Sequence, residues 1–415
     1  MNLNKDNKYP EIRFKGFTED WEQRKLGELS TDFEYGLNAS ATSYDGINKY
    51  IRITDISEGN RLFNQSNLTS PDIDFINADN YLLKKGDILF ARTGASVGKS
   101  YRYQESDGKV YYAGFLIRAR INTNYDTEFI FQTTLTNKYE KFVEVTSQRS
   151  GQPGINAKEY ANFKLNIPKL QEQKMIGSFF KQLDNTIALH QDKLDKLKSL
   201  KKGYLQALFP ITDEKVPKIR FANFIEPWEQ RKLDDISYKI TEKNKNNIYN
   251  ETLTNSAELG IISQRDFFEK EISNKKNLNG YYIVRPNDFV YNPRISNYAL
   301  VGPVKRNNLG RIGVMSPLYY VFRTKNISPD FLEKYFDTTG WHSFMKLNGD
   351  SGARADRFAI KDAVFKEMPI PYPEAIEQEQ IGNFFKQLDV TITLHQQKLV
   401  KLTVLKKAYL KMMYV

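Results

Sequence analysis

The stretch that decides the fold occurs twice, as IGSFFKQLDNTIALHQDKL at residues 176–194 and as IGNFFKQLDVTITLHQQKL at residues 381–399. In both copies apolar residues recur alternately four and three positions apart, which is the spacing of a coiled-coil seam. The seam residues are Ile176, Phe180, Leu183, Ile187, His190, Leu194 and Leu197 in the first copy, and Ile381, Phe385, Leu388, Ile392, His395, Leu399 and Leu402 in the second. One helix cannot bury such a seam, so we expect each helix to pack against its copy. The pattern leaves parallel and antiparallel pairing open.

A second duplicated stretch shows that the repeat extends beyond the helices. EIRFKGFTEDWEQRKLGELS at residues 11–30 returns as KIRFANFIEPWEQRKLDDIS at residues 218–237. The period is far longer than that of a solenoid repeat, so each copy is a globular domain followed by a long helix. We expect a first domain at 1–168, a first helix at 169–210, a second domain at 211–371 and a second helix at 372–415.

The two segments between these repeats differ in sequence but share one kind of pattern. Runs of β-branched and aromatic residues bounded by Gly, Asn, Asp or Pro predict short strands. The predicted strands are 50–53, 87–91, 110–112 and 116–121, then 281–284, 288–291 and 318–322, and the predicted short helices are 127–138 and 329–336. The expected fold class is α+β, with two mixed α/β domains separated by two long helices.

The composition favours an acidic partner. Of the 415 residues, 61 are Lys or Arg and 50 are Asp or Glu, which gives a net charge of +11 and a pI of about 9.2. This balance is typical of nucleic-acid-binding proteins, although a basic protein without such a partner has the same charge. The chain has no cysteine, so it has no disulfide and no cysteine nucleophile. No apolar run resembles a signal peptide or approaches the ~20 residues of a membrane span, and we expect a cytoplasmic protein.

Motifs of enzymes and metal sites are incomplete. TGASVGKS at residues 93–100 has one residue too few between its glycines for a phosphate-binding loop, and the matching stretch NPRISNYALVGPV at 292–304 has no lysine after its glycine. The chain also lacks the N-P-P-[YF] run of adenine methyltransferases and a converging set of carboxylates for metal-dependent hydrolysis. The seam histidines have no Cys, Asp or Glu beside them in the seam, so we expect no metal site.

Basic, polar loops after two matching strands are the candidate DNA contacts. The strands GDILF and NDFVY lead into these loops, and the shared exits SGQPGINAKEYANFKLNIP and SGARADRFAIKDAVFKEMPIP follow later in each copy. Their side chains are of the types that bind phosphates and base edges. The candidates are Arg92, Thr93, Ser96, Lys99, Arg102, Arg149 and Gln152 in the first domain, and Asn292, Arg294, Ser296, Asn297, Arg354 and Arg357 in the second. The alternative is that these loops are ordinary solvated turns.

Duplicated helices joined to unlike domains suit a protein that holds two copies of one partner and contacts two different targets. In this respect the chain resembles the specificity subunit of a type I restriction-modification enzyme. The resemblance rests on the duplicated WEQRKL, the exits ending in NIP and PIP, and the EQ-x-x-IG-x-FFKQLD helix starts at 172–184 and 377–389. These features cover the chain from end to end.

The resemblance implies a non-catalytic subunit that reads a bipartite DNA site through two target-recognition domains. Such a subunit binds two methylation subunits, which use S-adenosylmethionine, and works with restriction subunits that use ATP and Mg²⁺; we expect no cofactor in this chain. The two helices would form an antiparallel coiled coil with pseudo-twofold duplication and set the spacing of the half-sites. For partner contact we select Phe179, Phe180, Phe384 and Phe385, with the alternative that Phe180 and Phe385 lie in the seam.

Two other functions compete with this interpretation. One is an NTP-using enzyme, against which the incomplete phosphate-binding loop counts. The other is a scaffold whose helices hold two proteins and whose domains bind protein rather than DNA. A steep loss of affinity with salt would distinguish phosphate contacts from the scaffold.

Overall fold

The computed structural model describes residues 8–211, 214–268, 275–350 and 356–415. The chain divides into two compact units. Unit 1 comprises Met1–Lys193 and His395–Val415, and unit 2 comprises Leu194–Leu394. Each unit therefore contains one globular domain together with a part of each long helix. The division of the chain into four consecutive segments describes its order along the sequence and stays a prediction.

The two long helices have nearly the predicted bounds. Within the described residues the α-helices are Thr127–Thr133 (α1), Asn137–Thr146 (α2), Ala157–Ala161 (α3), Leu170–Ala207 (α4), Leu233–Ile236 (α5), Gln264–Phe268 (α6), Pro329–Phe336 (α7), His342–Asn348 (α8), Asp362–Phe365 (α9) and Ala375–Met413 (α10). Short 3₁₀ turns occupy Leu26–Leu29, Ile53–Asp55, Asp79–Tyr81, Gly94–Ser96, Glu105–Asp107, Lys245–Asn247 and Lys275–Gly280. The 38 residues of α4 make a rod of about 57 Å at ~1.5 Å per residue.

Unit 1 is built on a four-stranded antiparallel sheet. Its strands are Glu22–Lys25 (β1), Ser30–Tyr35 (β2), Ala41–Ser43 (β3), Lys49–Ile51 (β4), Thr69–Pro71 (β5), Asp87–Ala91 (β6), Ser100–Arg102 (β7), Val110–Tyr112 (β8), Leu116–Ile121 (β9) and Lys164–Ile167 (β10). The sheet order is β2-β9-β6-β7. Side chains of β6 alternate between two cores, because Ile88 and Phe90 pack on one face and Leu89 and Ala91 on the other. A sheet buried on both faces explains why β6 is apolar from Ile88 to Ala91.

Unit 2 repeats this sheet with a different second layer. Its strands are Glu229–Lys232 (β11), Ser237–Lys239 (β12), Leu253–Ser256 (β13), Gly260–Ser263 (β14), Tyr282–Val284 (β15), Phe289–Tyr291 (β16), Val304–Arg306 (β17), Gly313–Met315 (β18), Tyr320–Thr324 (β19) and Pro369–Tyr372 (β20). The order β12-β19-β16-β17 matches that of unit 1. Beside it, β15 and β18 pair antiparallel, whereas β4 and β8 of unit 1 pair parallel. The sheet is common to both units and its surroundings are not.

The duplicated joints pair with the duplicated exits. In unit 1, β1 from WEQRKL pairs antiparallel with β10, and in unit 2, β11 pairs in the same way with β20. Each pair closes its domain immediately before a long helix begins. The quoted sequence repeats are therefore the two ends of each domain, held together by backbone hydrogen bonds.

The EQ-x-x-IG motif joins each domain to its long helix. Glu172 accepts two hydrogen bonds from Arg13, at 2.7 and 2.8 Å, and Glu377 accepts two from Arg220, at 2.7 and 2.9 Å. The side-chain oxygen of the glutamine that follows each glutamate accepts from the backbone N–H just before α1 or at the N-cap of α7. The glycine lets that short helix approach, because an added Cβ at Gly177 would lie 2.3 Å from Asp126 Oδ1.

Within each unit the two long helices run antiparallel. In unit 1 the ring centroids of Phe179 and Tyr409 are 5.1 Å apart, and Lys406 lies 2.6 Å from Asp184. In unit 2 the copies of these residues make the same contacts: the rings of Phe384 and Tyr204 are 4.9 Å apart, and Lys201 lies 2.6 Å from Asp389. The predicted seam residues are all buried or partly buried. The expected antiparallel coiled coil is confirmed.

An aromatic cluster anchors each domain on the helix pair. In unit 1, Trp21 and Phe129 of the domain pack with Phe180 of α4 and Tyr414, just after α10. In unit 2 the corresponding cluster consists of Trp228, Phe331, Phe385 and Phe209. Each cluster contains one residue of a long helix and one residue that closely follows the other long helix, so the domain and both helix segments of a unit share one core.

Candidate nucleic-acid interface

The two loops predicted to contact DNA meet in unit 1. Thr93 and Gly154 form an antiparallel bridge, and the N–H of Gly94 donates to the carbonyl oxygen of Pro153 at 3.0 Å. The N–H of Ile155 donates to the carbonyl oxygen of Arg92 at 2.9 Å. Gly94 has a φ of +69° and its Cα faces the Gln152 amide, so a side chain at this position would be strained. The loop after β6 and the exit loop therefore form one surface.

Arg92 is the available cation of this surface. Its guanidinium lies 5.1 Å from the centre of the Tyr35 ring, and it has no carboxylate partner within the described residues. Arg92 lines a cleft of about 560 Å³ together with Tyr35, Arg52 and the exposed Phe115. An arginine beside exposed aromatic rings can bind a phosphate or a base edge and lets a base stack nearby.

Three other predicted cations of unit 1 are already paired with carboxylates. Lys99 is only 7 % exposed and binds Glu58. Arg102 lies 2.8 Å from Glu128, and Arg149 donates two hydrogen bonds to Glu159, at 2.6 and 2.8 Å. Burial raises the pKa of the Glu128 carboxyl, and the Arg102 charge opposes this. A DNA phosphate reaches Lys99 or Arg102 only by displacing a carboxylate, so the sequence pattern overestimated the positive charge available in this loop.

Ser96 and Gln152 differ in how far they are exposed to solvent. Ser96, in the turn after Thr93, is partly buried beside Lys99. Gln152 is exposed in the exit loop, as is Arg149. Of the residues predicted for this domain, Arg92, Thr93 and Gln152 are the ones that the structure brings together with side chains not already engaged by carboxylates.

Unit 2 places its matching loops in the same way. Arg294 and Arg357 form an antiparallel bridge, and the N–H of Phe358 donates to the carbonyl oxygen of Pro293 at 2.7 Å. Arg294 is exposed and has no ion pair in the part of the chain that the structure describes. Arg357 is partly buried, with its Nε 4.0 Å from Asp356. Arg354, also predicted here, lies outside the described residues.

A cleft of about 660 Å³ opens beside these loops. Asn292, Arg294, Ser296 and Arg357, all predicted from the sequence, line it. Asn292 is buried, and its amide donates to the carbonyl oxygen of Asn255 at 2.8 Å and accepts from the N–H of Arg294 at 3.0 Å. Asn292 therefore holds the loop in place rather than facing a ligand. Asn297 is exposed in the turn that follows.

Buried aspartates fix the base of both loops. Arg120 donates two hydrogen bonds to Asp87 at the start of β6, and Arg323 donates two to Asp288, which precedes β16. The bond to Asp288 raises the pKa of the Arg323 guanidinium. Both aspartates also accept from a backbone N–H three residues earlier. These pairs hold the strands rigid beneath the candidate interface.

Sequence reasoning missed several residues that line the clefts. Tyr35 and Phe115 of unit 1 come from strand and turn segments distant in sequence from Arg92, and Gln264 and Phe267 of unit 2 are distant from Arg294. Tyr298 lies in the predicted loop itself, directly after Asn297. An aromatic residue in a polar stretch, such as Tyr298 after Asn297, is a sequence signal that could have identified a residue of the cleft. Strand pairing, which brings the others together, was not visible in the sequence.

The phenylalanines predicted for partner contact have two different environments. Phe180 and Phe385 are 0 % exposed inside the aromatic clusters, so they occupy the interior of the helix pair and another protein cannot reach them. This is the alternative that the heptad pattern left open, and partner contact by these two side chains is wrong. Phe179 and Phe384 are partly buried against Tyr409 and Tyr204.

The described residues contain no cluster of three or more metal-ligating side chains. A search of the same residues found no helix long and apolar enough to cross a membrane.

Comparisons with known proteins agree with this architecture. Residues 18–199 match the family described as "Type I restriction modification DNA specificity domain". The type I restriction enzyme MjaVIII specificity subunit of Methanocaldococcus jannaschii is 21 % identical over 430 residues, which cover 100 % of this chain and 96 % of that protein. The putative MjaX specificity subunit of the same organism is 25 % identical over 242 residues, 56 % of each chain.

A solved structure has the same fold. The crystal structure of the S subunit of a type I restriction-modification system from M. genitalium aligns with a TM-score of 0.62 at 12 % identity, covering 98 % of this chain and 99 % of that one. The resemblance that the sequence indicates is confirmed: residues 18–199 match the type I specificity domain, and the chain is similar along its whole length to a type I specificity subunit.

Proposed function

We propose that this chain reads a bipartite DNA site, with one half-site bound by each unit. In both units the loop after the matching strand pairs with the exit loop, but the side chains on these loops differ between the units. This observation supports the proposal. Thr93 and Gly154 meet in one unit, and Arg294 and Arg357 meet in the other. A common sheet with different loop residues supplies two similar surfaces of different specificity. The net charge of +11 favours phosphate contacts at both.

We also propose that two copies of a methylation subunit dock on the helix pair. Leucines identical in the two copies remain exposed: Leu189 (66 %) and Leu405 (43 %) in unit 1, with Leu394 (59 %) and Leu200 (47 %) as their counterparts in unit 2. The same apolar positions are thus available twice, as two copies of one partner require. The methylation subunits supply S-adenosylmethionine chemistry, and restriction subunits, with ATP and Mg²⁺, complete the complex in the cytoplasm.

Methylation mapping tests both proposals. DNA from cells that express this chain with its methylation subunit is sequenced for N6-methyladenine and compared with DNA from cells that lack the chain. The expected result is a split motif that has methyladenine in both halves and a fixed spacer. If the subunits assemble but no motif appears, the DNA-reading proposal fails and the chain acts as a protein scaffold.

A further inference from the structure

The cleft of unit 2 contains buried hydrogen-bond acceptors that have no partner. Asn255 on β13 is 2 % exposed, and its Nδ2 donates to the carbonyl oxygens of Val290, at 2.7 Å, and Pro303, at 3.2 Å. These two bonds fix the amide orientation, so that Oδ1 is the acceptor, and this oxygen has no partner within the described residues. The Oε1 of Gln264, at the start of α6, is likewise buried and unpartnered there.

This feature distinguishes the two clefts. Among the described residues that line the cleft of unit 1, none has a buried side-chain acceptor without a hydrogen bond. Native proteins pair almost all buried polar groups, so two unpaired acceptors in one cleft are unusual. They indicate that the cleft of unit 2 takes a ligand that donates hydrogen bonds.

The walls and rim of this cleft suit a nucleotide. Phe267 and Phe268 form an edge-on pair with ring centroids 4.6 Å apart, and Tyr298 is exposed beside them. Aromatic faces of this kind stack on unpaired bases. Arg294 and Arg357 pair through their backbones and both line the cleft, whose acidic neighbours are Glu258 in the lining and Asp356, 4.0 Å from Arg357 Nε. The volume of about 660 Å³ lies in the range of small-molecule sites.

We propose that the cleft of unit 2 holds one nucleotide extruded from the DNA stack, with its base hydrogen-bonded to Asn255 and Gln264 and its phosphate at Arg294 and Arg357. The inference rests on the proposed DNA-reading function. Acceptors buried in a concave cleft do not reach base edges recessed in a duplex groove, whereas an extruded base enters edge first. Two acceptors favour a base with an amino group, because thymine offers a single N–H between two carbonyl groups.

The test uses the chain with its methylation subunits and duplexes that carry the mapped motif. One at a time, each position of the second half-site is left opposite an abasic site. Extrusion is easier for an unpaired base, so we expect about tenfold tighter binding at one position other than the methylated adenine. That position carries adenine, cytosine or guanine.

A Gln264→Met variant separates this cleft from the pocket of the methylation subunit. Gln264 makes no side-chain hydrogen bond to described residues, so the variant is expected to fold. The variant should no longer bind more tightly when the base opposite the extruded position is replaced by an abasic site. It should keep any such increase in affinity at the methylated adenine. Gln206→Met, on an exposed part of α4 in the same unit, is the matched control and keeps both gains.

The alternative outcomes are distinct. If a split motif exists but no second position gains from an abasic partner, the inference is overturned and the proposed function stands. Binding of dAMP or dCMP to the full chain, without any such gain, would assign the cleft to free nucleotides and also overturn it. If no motif is found, the proposed function itself fails.

Discussion

The Nδ1 atom of His190 lies 3.0 Å from the Nδ1 atom of His395, its own copy 205 residues later. At this distance one nitrogen carries the proton and the other accepts it, so the contact requires that the pair is not doubly protonated. Phe179 with Tyr409 and Asp184 with Lys406 continue the same antiparallel pairing. The histidines therefore mark the register of the helix pair in unit 1.

This pair predicts a loss of stability in mild acid. Burial lowers the pKa of His190 below the ordinary 6.5, and the charges of Lys398, His395 and Lys193 act in the same direction. The unfolded chain then binds more protons than the folded chain, so stability decreases as the pH falls from about 7.5 to about 5.5. Thermal unfolding at several pH values should show a falling Tm, and a His190→Leu/His395→Leu variant should show a weaker fall.

His342 provides the control for this experiment. Burial lowers its pKa as well, so some pH dependence remains in the double variant. A His342→Gln variant keeps the hydrogen-bonded pair of His190 and His395 and must keep the steeper part of the pH dependence. An unchanged profile in the double leucine variant would show that the pair does not contribute.

The Arg13 and Glu172 pair predicts a strong effect of a single substitution. Arg13→Met leaves the carboxylate of Glu172 buried without its bidentate partner, and breaking such a pair costs about 3–5 kcal/mol. The matching change Arg220→Met should cost less, because Trp228 still donates to Glu377 at 3.0 Å. Hydrogen exchange at the start of α4 and of α10 measures the two losses separately.

An exposed pair in the same region is the control. Lys169 lies 2.5 Å from Glu19 with both side chains largely in solvent, so Lys169→Met should cost less than about 1 kcal/mol. Equal effects of Arg13→Met and Lys169→Met would contradict the role assigned to the Glu172 joint.

The helix glycines predict opposite effects of the same substitution. An added Cβ at Gly382 would lie 2.8 Å from the Cβ of Asp330, so Gly382→Ala should destabilise unit 2 by about 1–3 kcal/mol. At Gly203 the added Cβ meets no atom of the described residues within 4 Å. Gly203→Ala should therefore stabilise α4 by about 1 kcal/mol. Ala408 already occupies the equivalent position in the other copy.

Denaturant unfolding of the two alanine variants, each compared with the unchanged chain, measures both effects. A stabilising Gly382→Ala would mean that α7 does not approach the long helix as closely as the structure indicates.

The duplication made much of the fold predictable. β6, β8, β9 and α7 have the bounds that residue type and turn signals indicate, because each is a short buried element with strong local preferences. The predicted helix at 127–138 instead ends at Thr133, and a new helix begins at Asn137. The hydroxyls of Thr133 and Thr134 bond back to carbonyl oxygens, and Thr136 caps the second helix. Such local competition is difficult to read from periodicity.

The site was less predictable than the fold. The sequence indicates that Lys99 is a cation in a polar loop, but Glu58, which pairs with it, lies far away along the chain. Likewise, the sequence indicates no role for Glu172 and Gln173 of the EQ-x-x-IG motif, whereas the structure uses both to join the domain of unit 1 to its long helix. Pairing between distant residues decides which charges remain available, and one sequence does not reveal it.

If each unit reads its own half-site, as we propose, substitution of the candidate arginine of each unit changes a different half of the motif. Arg92→Ala and Arg294→Ala are each mapped by N6-methyladenine sequencing in cells that carry the methylation subunit. Arg92 supplies a candidate base contact, worth about 1–3 kcal/mol of discrimination, and Arg294 positions the nucleotide proposed to enter the cleft of unit 2, so each variant should relax or abolish recognition in one half-site. We expect the two variants to affect different halves of the motif and to leave the spacer unchanged. A change of both halves by either variant, or of the same half by both, would contradict the proposal.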